Sequence, residues 1–172
     1  MWSGADPGTR ERCMTTMSSS ISSIDTKEIF VCGGGHQGFA MAGHLALHGY
    51  EVTLWNRTPE NIAEIEKTKK VRCSGICNGV AKLSRVTSDI SHAAGKLVMV
   101  VVPSTAHKEI ARRLAPFLNE DSVVILNPGR TFGAVEFAKE LEANGVCRLP
   151  HIAETQTIVY TCRRIGADGV SI

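Results

Sequence analysis

At 172 residues the chain can bury one sizeable core, and 43% hydrophobic with 21% charged residues is the balance of an ordinary globular domain. A net charge of +2 and 5% aromatics exclude the basic face or stacking platforms that nucleic-acid binding needs. No apolar run reaches the ~18 residues of a membrane span, so neither nucleic acid nor membrane is an expected partner.

Six cysteines lie scattered through a chain too large to need disulfide staples, and Cys73 and Cys77 have no matching pair or histidine cluster. No metal site is expected. Free thiols suit the reducing cytoplasm.

Residues 1–25 are rich in Ser, Thr and Met without a periodic apolar face and read as a disordered tail. The tail lacks the apolar core of a secretory signal, and Asp6 and Glu11 count against a transit peptide. The domain proper is expected over residues 26–172.

Lys27 to Cys32 reads as a buried strand, followed by a helix over 36–48 with a small-residue face, ended by Gly49. A second strand covers Glu51 to Trp55. Thr58 and Pro59 then start a helix running to about Lys69. Val71–Gly75 and Val80–Val86 flank Asn78-Gly79 and suggest a hairpin or an irregular crossover. Asp89 opens a short helix over Ile90–Ala94, and Lys96–Val102 is a strongly β-like run stopped by Pro103.

A helix is expected from about Thr105 to Leu118, a strand over Ser122–Leu126 and a helix from Gly133 to Ala143. Strand-like runs close the chain at Thr155–Thr161 and Gly169–Ile172. Alternating strands and helices with short connections make a doubly wound parallel α/β sheet, the Rossmann arrangement, the economical fold. The last run stops without a finishing turn, so the chain is expected to be a fragment.

Gly33-Gly34-Gly35-His36-Gln37-Gly38 is a G-x-G-x-x-G turn with a strand before it and a helix after it. Such a turn lets the chain reverse tightly, admits a pyrophosphate to the backbone and packs the helix close to the strand. Unpaired amides at the helix start and the helix dipole then face the phosphates. His36 is expected to offer its backbone amide rather than its ring.

The tip of the second strand meets the adenosine ribose. NAD sites place an acid there, whereas this chain has Asn56, Arg57 and Thr58. With no carboxylate to repel a 2′-phosphate and Arg57 to bind it, NADP is the expected cofactor, with NAD usable if Arg57 only stacks on adenine or lies in solvent.

Two further strand ends belong to the same crevice: Val102-Pro103-Ser104 with His107, and Asn127-Pro128-Gly129-Arg130. Val102, Pro103, Asn127, Pro128 and Gly129 would bring backbone beside ribose or nicotinamide. His107 faces substrate or solvent, and Arg130 pairs with a substrate carboxylate or remains a surface charge. Glu154 touches the nicotinamide carboxamide or serves as a buried or capping carboxylate. Cys162 reads as a small core residue.

Together, the Gly33–Ala40 turn, Thr87-Ser-Asp-Ile90, Val100-Val-Val-Pro103 with His107, Asn127-Pro-Gly129 with Gly133-Ala-Val-Glu-Phe137, and Glu154-Thr155 with Thr161-Cys-Arg163 resemble the opine dehydrogenases. The resemblance spans residues 27–172 and corresponds to the amino-terminal half of that family. It implies reductive condensation of an amino acid with an α-keto acid such as pyruvate, with hydride from NAD(P)H. The family's acid–base histidine and its carboxylate partner belong to a following helical domain, so no catalytic residue is assigned here. The chain alone is then expected to bind NADPH weakly and to turn nothing over.

Two other readings stand beside it. One is a ketopantoate reductase-like or glycerol-3-phosphate dehydrogenase-like enzyme. The other is a cofactor-binding module without chemistry.

Overall fold

Residues 27–172 are described by a computed structural model, so the expected tail over 1–25 lies outside the described residues. The chain opens with β1 (Glu28–Cys32), turns through the glycines into α1 (His36–Leu47) and returns as β2 (Glu51–Trp55). A 3₁₀ turn at Pro59–Asn61 leads into α2 (Ala63–Thr68), β3 (Lys70–Ser74), β4 (Gly79–Lys82) and β5 (Arg85–Thr87). Beyond a 3₁₀ turn at Ile90–Ala93 come β6 (Leu97–Val100), α3 (His107–Leu114), β7 (Val123–Leu126), α4 (Gly133–Ala143) and β8 (His151–Glu154). The described chain finishes with β9 (Arg163–Ile165) and β10 (Gly169–Ser171).

Six strands form one parallel sheet in the order β5-β2-β1-β6-β7-β8. This is the expected doubly wound Rossmann sheet. The chain works outward from β1 to β5, then crosses to β6 on the other side of β1, so the order reverses between β1 and β6. Alternation along β1 serves both faces: Ile29 and Val31 join the core under α1, while Phe30 and Cys32 join the core under α3 and α4. Burial pushes the Cys32 thiol far up, as fits a packed, unreactive side chain.

A second sheet was not foreseen. Its order is β4-β3-β10-β9, with β3 and β4 an antiparallel hairpin, β3 and β10 parallel, and β9 antiparallel to β10. It packs on the side of α1 that the large sheet leaves open, with Val71, Cys73, Ala81 and Val170 in the same core as Phe39 and Ala42. The hairpin alternative around Asn78-Gly79 is the one realised. Val80–Val86 is divided, however: β4 stays in the small sheet, and Ser84 begins a crossing to β5 at the edge of the large one.

Thr155–Thr161 is irregular instead of a strand. The last strand of the parallel sheet lies just before it at His151–Glu154, which pairs Leu126 with Glu154. The run is apolar because it crosses α1: Tyr160 packs on the core there, while Ile158 and Val159 stay about half exposed. The helix expected over 105–118 has a regular part only at 107–114, flanked by 3₁₀ turns at Ser104–Ala106 and Ala115–Phe117. Pro116 lacks the amide an α-helix would need there.

Candidate nucleotide-binding site

The three fingerprint glycines have separate steric reasons. A Cβ on Gly33, whose φ is +132°, would lie 2.3 Å from the Val101 carbonyl oxygen. One on Gly38 would lie 1.7 Å from the Gly33 carbonyl oxygen, so α1 sits hard against the end of β1. A Cβ on Gly35 would meet nothing within 4 Å. Gly35 and His36 are exposed, and their backbone at the start of α1 is open to a ligand.

The first turn of α1 has no intrahelical acceptors for its amides, and no acidic side chain covers it. Its donors therefore face the crevice at the positive end of the helix dipole. An open cavity of about 410 Å³ lies there. Its walls come from Gly35 to Gln37 after β1, Val101 to Ser104 after β6, and Asn127, Pro128 and Arg130 after β7. Three strand ends predicted from sequence thus converge beside the order reversal, where ligands of open α/β sheets bind. Ile158 from the irregular crossing closes one side, a residue that sequence reasoning placed in a strand. A larger cleft of about 560 Å³, lined by residues from Ala115 to Glu120 and Asn144 to Arg148, lies before β7 and β8 at the opposite edge and contains none of the predicted residues.

Gly34 differs from its neighbours. It is buried, its N–H donates to Asn56 Oδ1 at 3.1 Å, and its missing Cβ makes room for the Asn56 and Ile62 side chains. Asn56 also donates through Nδ2 to the Thr58 carbonyl at 2.9 Å. Asn56 therefore braces the glycine turn with both ends of its amide. Its side chain and the Gly34 amide are committed to each other, so both lie behind the exposed start of α1.

The β2 tip carries no carboxylate of its own, as its sequence says, yet the fold brings one beside it. Glu109 of α3, 52 positions away, accepts a hydrogen bond from Arg57 Nη1 through Oε2 at 2.5 Å. Its other oxygen accepts from Arg113 Nε at 3.1 Å. Only the fold reveals this, because no local pattern links Arg57 to a helix on the far side of β1.

His107 is fully buried at 0% exposure, which overturns the solvent-facing alternative. Neither ring nitrogen has a hydrogen-bond partner among the described residues. The ring lines a second cavity of about 500 Å³ with Ser104, Gly129, Arg130, Gly133 and Glu136. Burial holds its pKa below the ordinary histidine value, opposed by the Val102 backbone and the carboxylates of Glu136 and Glu154. Arg130 is exposed, has φ +60° and lies on the rims of both cavities, so the structure brings it beside His107.

Of the alternatives for Glu154, the capping one is realised. Its Oε2 accepts the Ala134 N–H at 2.6 Å, supplying the first turn of α4 from another strand. The glycines follow from this: a Cβ on Gly129 would fall 2.3 Å from Glu154 Cβ, and one on Gly133 would fall 3.1 Å from Oε2. Glu154 and Gly129 thus shape the turn whose neighbours, Asn127 and Pro128, line the crevice. Thr58 is exposed and offers its carbonyl to Asn56.

Two residues absent from the expected set hold the glycine turn from behind. The Arg164 guanidinium lies 3.9 Å over the Phe39 ring and donates to the carbonyls of Asn61 at 3.0 Å and Ala167 at 2.7 Å, with a longer 3.4 Å contact to Gly34. Gln37 bonds the backbone of Tyr160 with both ends of its amide. The Tyr160 hydroxyl meets His44 Nδ1 at 2.8 Å, and burial pushes its pKa up to about 12. The Thr161-Cys-Arg163 run marks this region in sequence, but nothing local shows that Arg164 reaches back to Gly34.

Comparison with known proteins agrees with this geometry. The family model described as "NAD-dependent glycerol-3-phosphate dehydrogenase N-terminus" matches residues 28–165. An opine dehydrogenase from Arthrobacter sp. (strain 1C) is 37% identical over 143 residues, covering 81% of this chain and 40% of the relative. An octopine dehydrogenase solved with NADH and pyruvate superposes with a TM-score of 0.73 at 18% identity, covering 84% of this chain and 40% of that one. A PanE/ApbA family ketopantoate reductase from Ralstonia eutropha JMP134 gives 0.64 at 25% identity, covering 84% and 45%. The chain thus spans about two fifths of the length of the opine dehydrogenase it matches. Among the described residues no helix is long and apolar enough to cross a membrane.

Proposed function

The chain belongs to the NAD-dependent glycerol-3-phosphate dehydrogenase N-terminal family, and from that premise we propose that it is the cofactor-holding part of an opine-dehydrogenase-like oxidoreductase. The reaction would be the reductive condensation of an amino acid with an α-keto acid. The membership makes the chain an NAD(P)-binding dehydrogenase domain; the particular reaction is our reading. It rests on the 37% identity to an opine dehydrogenase across 81% of the chain.

The residues present fit a dinucleotide. Gly35 leaves open the space a side chain would fill, and the first turn of α1 supplies amides and a positive dipole end where a diphosphate would lie. The cofactor, when bound, supplies the hydride. The chain's own contribution is to hold and orient it. Gly35, His36 and Gln37 offer backbone amides to the diphosphate. Val102, Pro103, Asn127 and Pro128 wall the nicotinamide end. Arg57 marks the adenosine end and is the group for a 2′-phosphate, which makes NADPH the preferred cofactor and leaves NADH usable.

Arg130 would pair with the carboxylate of a keto acid entering beside the nicotinamide; its position on the rims of both cavities, one of them shared with His107, supports this. We assign no acid–base catalyst to this chain. The cytoplasm is the compartment we propose, and the free thiols of Cys32, Cys73, Cys77 and Cys162 among the described residues suit it. Calorimetric titration of the chain with NADH and NADPH tests the reading. Saturable binding that Gly35→Val abolishes while the fold is retained is the expected result. A crystal structure with bound nucleotide away from α1, or no binding of either nucleotide, would reject it.

A further inference from the structure

The β2 tip lacks the acid that usually screens cofactors, yet one stands within hydrogen-bond reach of Arg57. We propose that Glu109 on α3 is a cofactor-selectivity residue of this domain, acting through its pair with Arg57; the proposal rests on the dinucleotide reading above.

Arg57 follows β2 and Glu109 lies in the first turn of α3, after β6. These two elements flank β1 on either side, so their side chains meet over the carboxyl end of the sheet, where the adenosine half of a dinucleotide lies. Glu109 is also held in place. Arg113, one turn along α3, grips its second oxygen through Nε and Nη2 at 3.1 and 3.0 Å. A carboxylate tied in this way is biased to stay beside Arg57 when a cofactor enters.

For a 2′-phosphate to reach Arg57, it must share that guanidinium with Glu109 or displace it. It also brings negative charge beside a fixed negative charge. A free 2′-hydroxyl meets neither obstacle. The carboxylate absent from the strand tip in sequence is thus supplied in space by α3. Discrimination between NADH and NADPH becomes a property of the pair instead of Arg57 alone. The side chains are 55% and 37% exposed, so the pair is solvent-screened and its effect is modest. It tunes preference without excluding either cofactor.

The test is a set of titrations of the 172-residue chain with NADH and NADPH, for wild type, Glu109→Gln, Arg57→Ala and the double variant. Adenosine 2′,5′-bisphosphate and 5′-AMP serve as probes of the adenosine end alone. Thermal melts check that each variant keeps the wild-type fold. In Glu109→Gln the ratio of NADH to NADPH dissociation constants should rise roughly fivefold, and 2′,5′-bisphosphate should tighten relative to 5′-AMP.

Arg57→Ala should lose NADPH preference with little change for NADH. In that background Glu109→Gln should no longer move the ratio. An unchanged ratio in Glu109→Gln, or the same change with and without Arg57, overturns the proposal while leaving the dinucleotide site standing. Failure of wild type to bind any of the four probes overturns the underlying reading as well.

Discussion

Helix α1 is gripped from two sides by sheets of opposite character. Against one side lies the six-stranded parallel sheet, in which single helices join β1 to β2, β6 to β7 and β7 to β8 and whose apolar runs announce themselves in sequence. Against the other lies the small sheet, whose central pair, β3 and β10, joins residues such as Arg72 and Gly169 that are far apart in the chain. The parallel sheet makes the crevice and the small sheet sets the helix in it. From residues 160 to 164 comes the bracing that the glycine turn needs: Tyr160 on Gln37, and Arg164 on Phe39 and Asn61. A helix held on one side only would be free to tilt, and the amides of its first turn would not keep one direction.

The sharpest way to separate the two sides is through glycines. Gly38→Ala should be the most damaging change, because its methyl would lie 1.7 Å from the Gly33 carbonyl oxygen, which is backbone and cannot yield. Loss of about 3 kcal/mol or more, or failure to fold, is expected in urea unfolding. Gly35→Ala, with nothing within 4 Å, should leave the same unfolding curve almost unmoved. A comparable loss in both would mean that the turn is not packed as described.

On the small-sheet side, Gly43→Ala would bring a methyl to 2.5 Å from Cys73 Sγ. A destabilisation of about 1–3 kcal/mol is expected, recovered in good part by adding Cys73→Ala. Additive losses in the double variant would show that α1 and β3 do not touch at this point.

Arg164→Gln removes the cation from the Phe39 face and the carbonyl contacts behind the turn. About 1–2 kcal/mol of stability should go, because partly exposed contacts of this kind are screened. NADH affinity should fall with it although Arg164 does not line the crevice, and an unchanged affinity would deny that the small sheet braces the site.

The smallest effect concerns pH. The folded His107 pKa lies below its ordinary 6.5, with burial the leading cause. The unfolded chain therefore takes up a proton first as pH falls. The stability this group contributes is complete above pH 6.5 and is lost as pH drops from there through the folded value. His107→Gln should flatten the pH dependence of the unfolding midpoint below 6.5. A slope as steep as in wild type would assign the effect to the carboxylates instead.

These contrasts also separate what could be read in advance from what could not. The apolar run into Gly33, the small residues of α1 and the punctuated ends at Pro103 and Pro128 each carry their meaning within a few positions. They depend on backbone sterics and helix-start chemistry, which are local. Thr155–Thr161 misled for the opposite reason. Its apolar residues serve a crossing over α1, and a half-buried crossing has the composition of a strand. Glu154 was legible as a carboxylate near the site, but its service to α4 could be recognised only once β8 lay beside β7.

The amino-acid sequence by itself determined that strand, glycine turn and helix would form here, and that three strand ends would carry the crevice, because hydrophobic period and glycine sterics act over neighbouring residues. Only tertiary structure decided that Glu109 would answer Arg57, that Arg164 would reach the glycine turn, and that His107 would be sealed in a wall. Those outcomes belong to groups brought together across tens of residues by burial of the two cores, and burial has direction only after the sheet has formed.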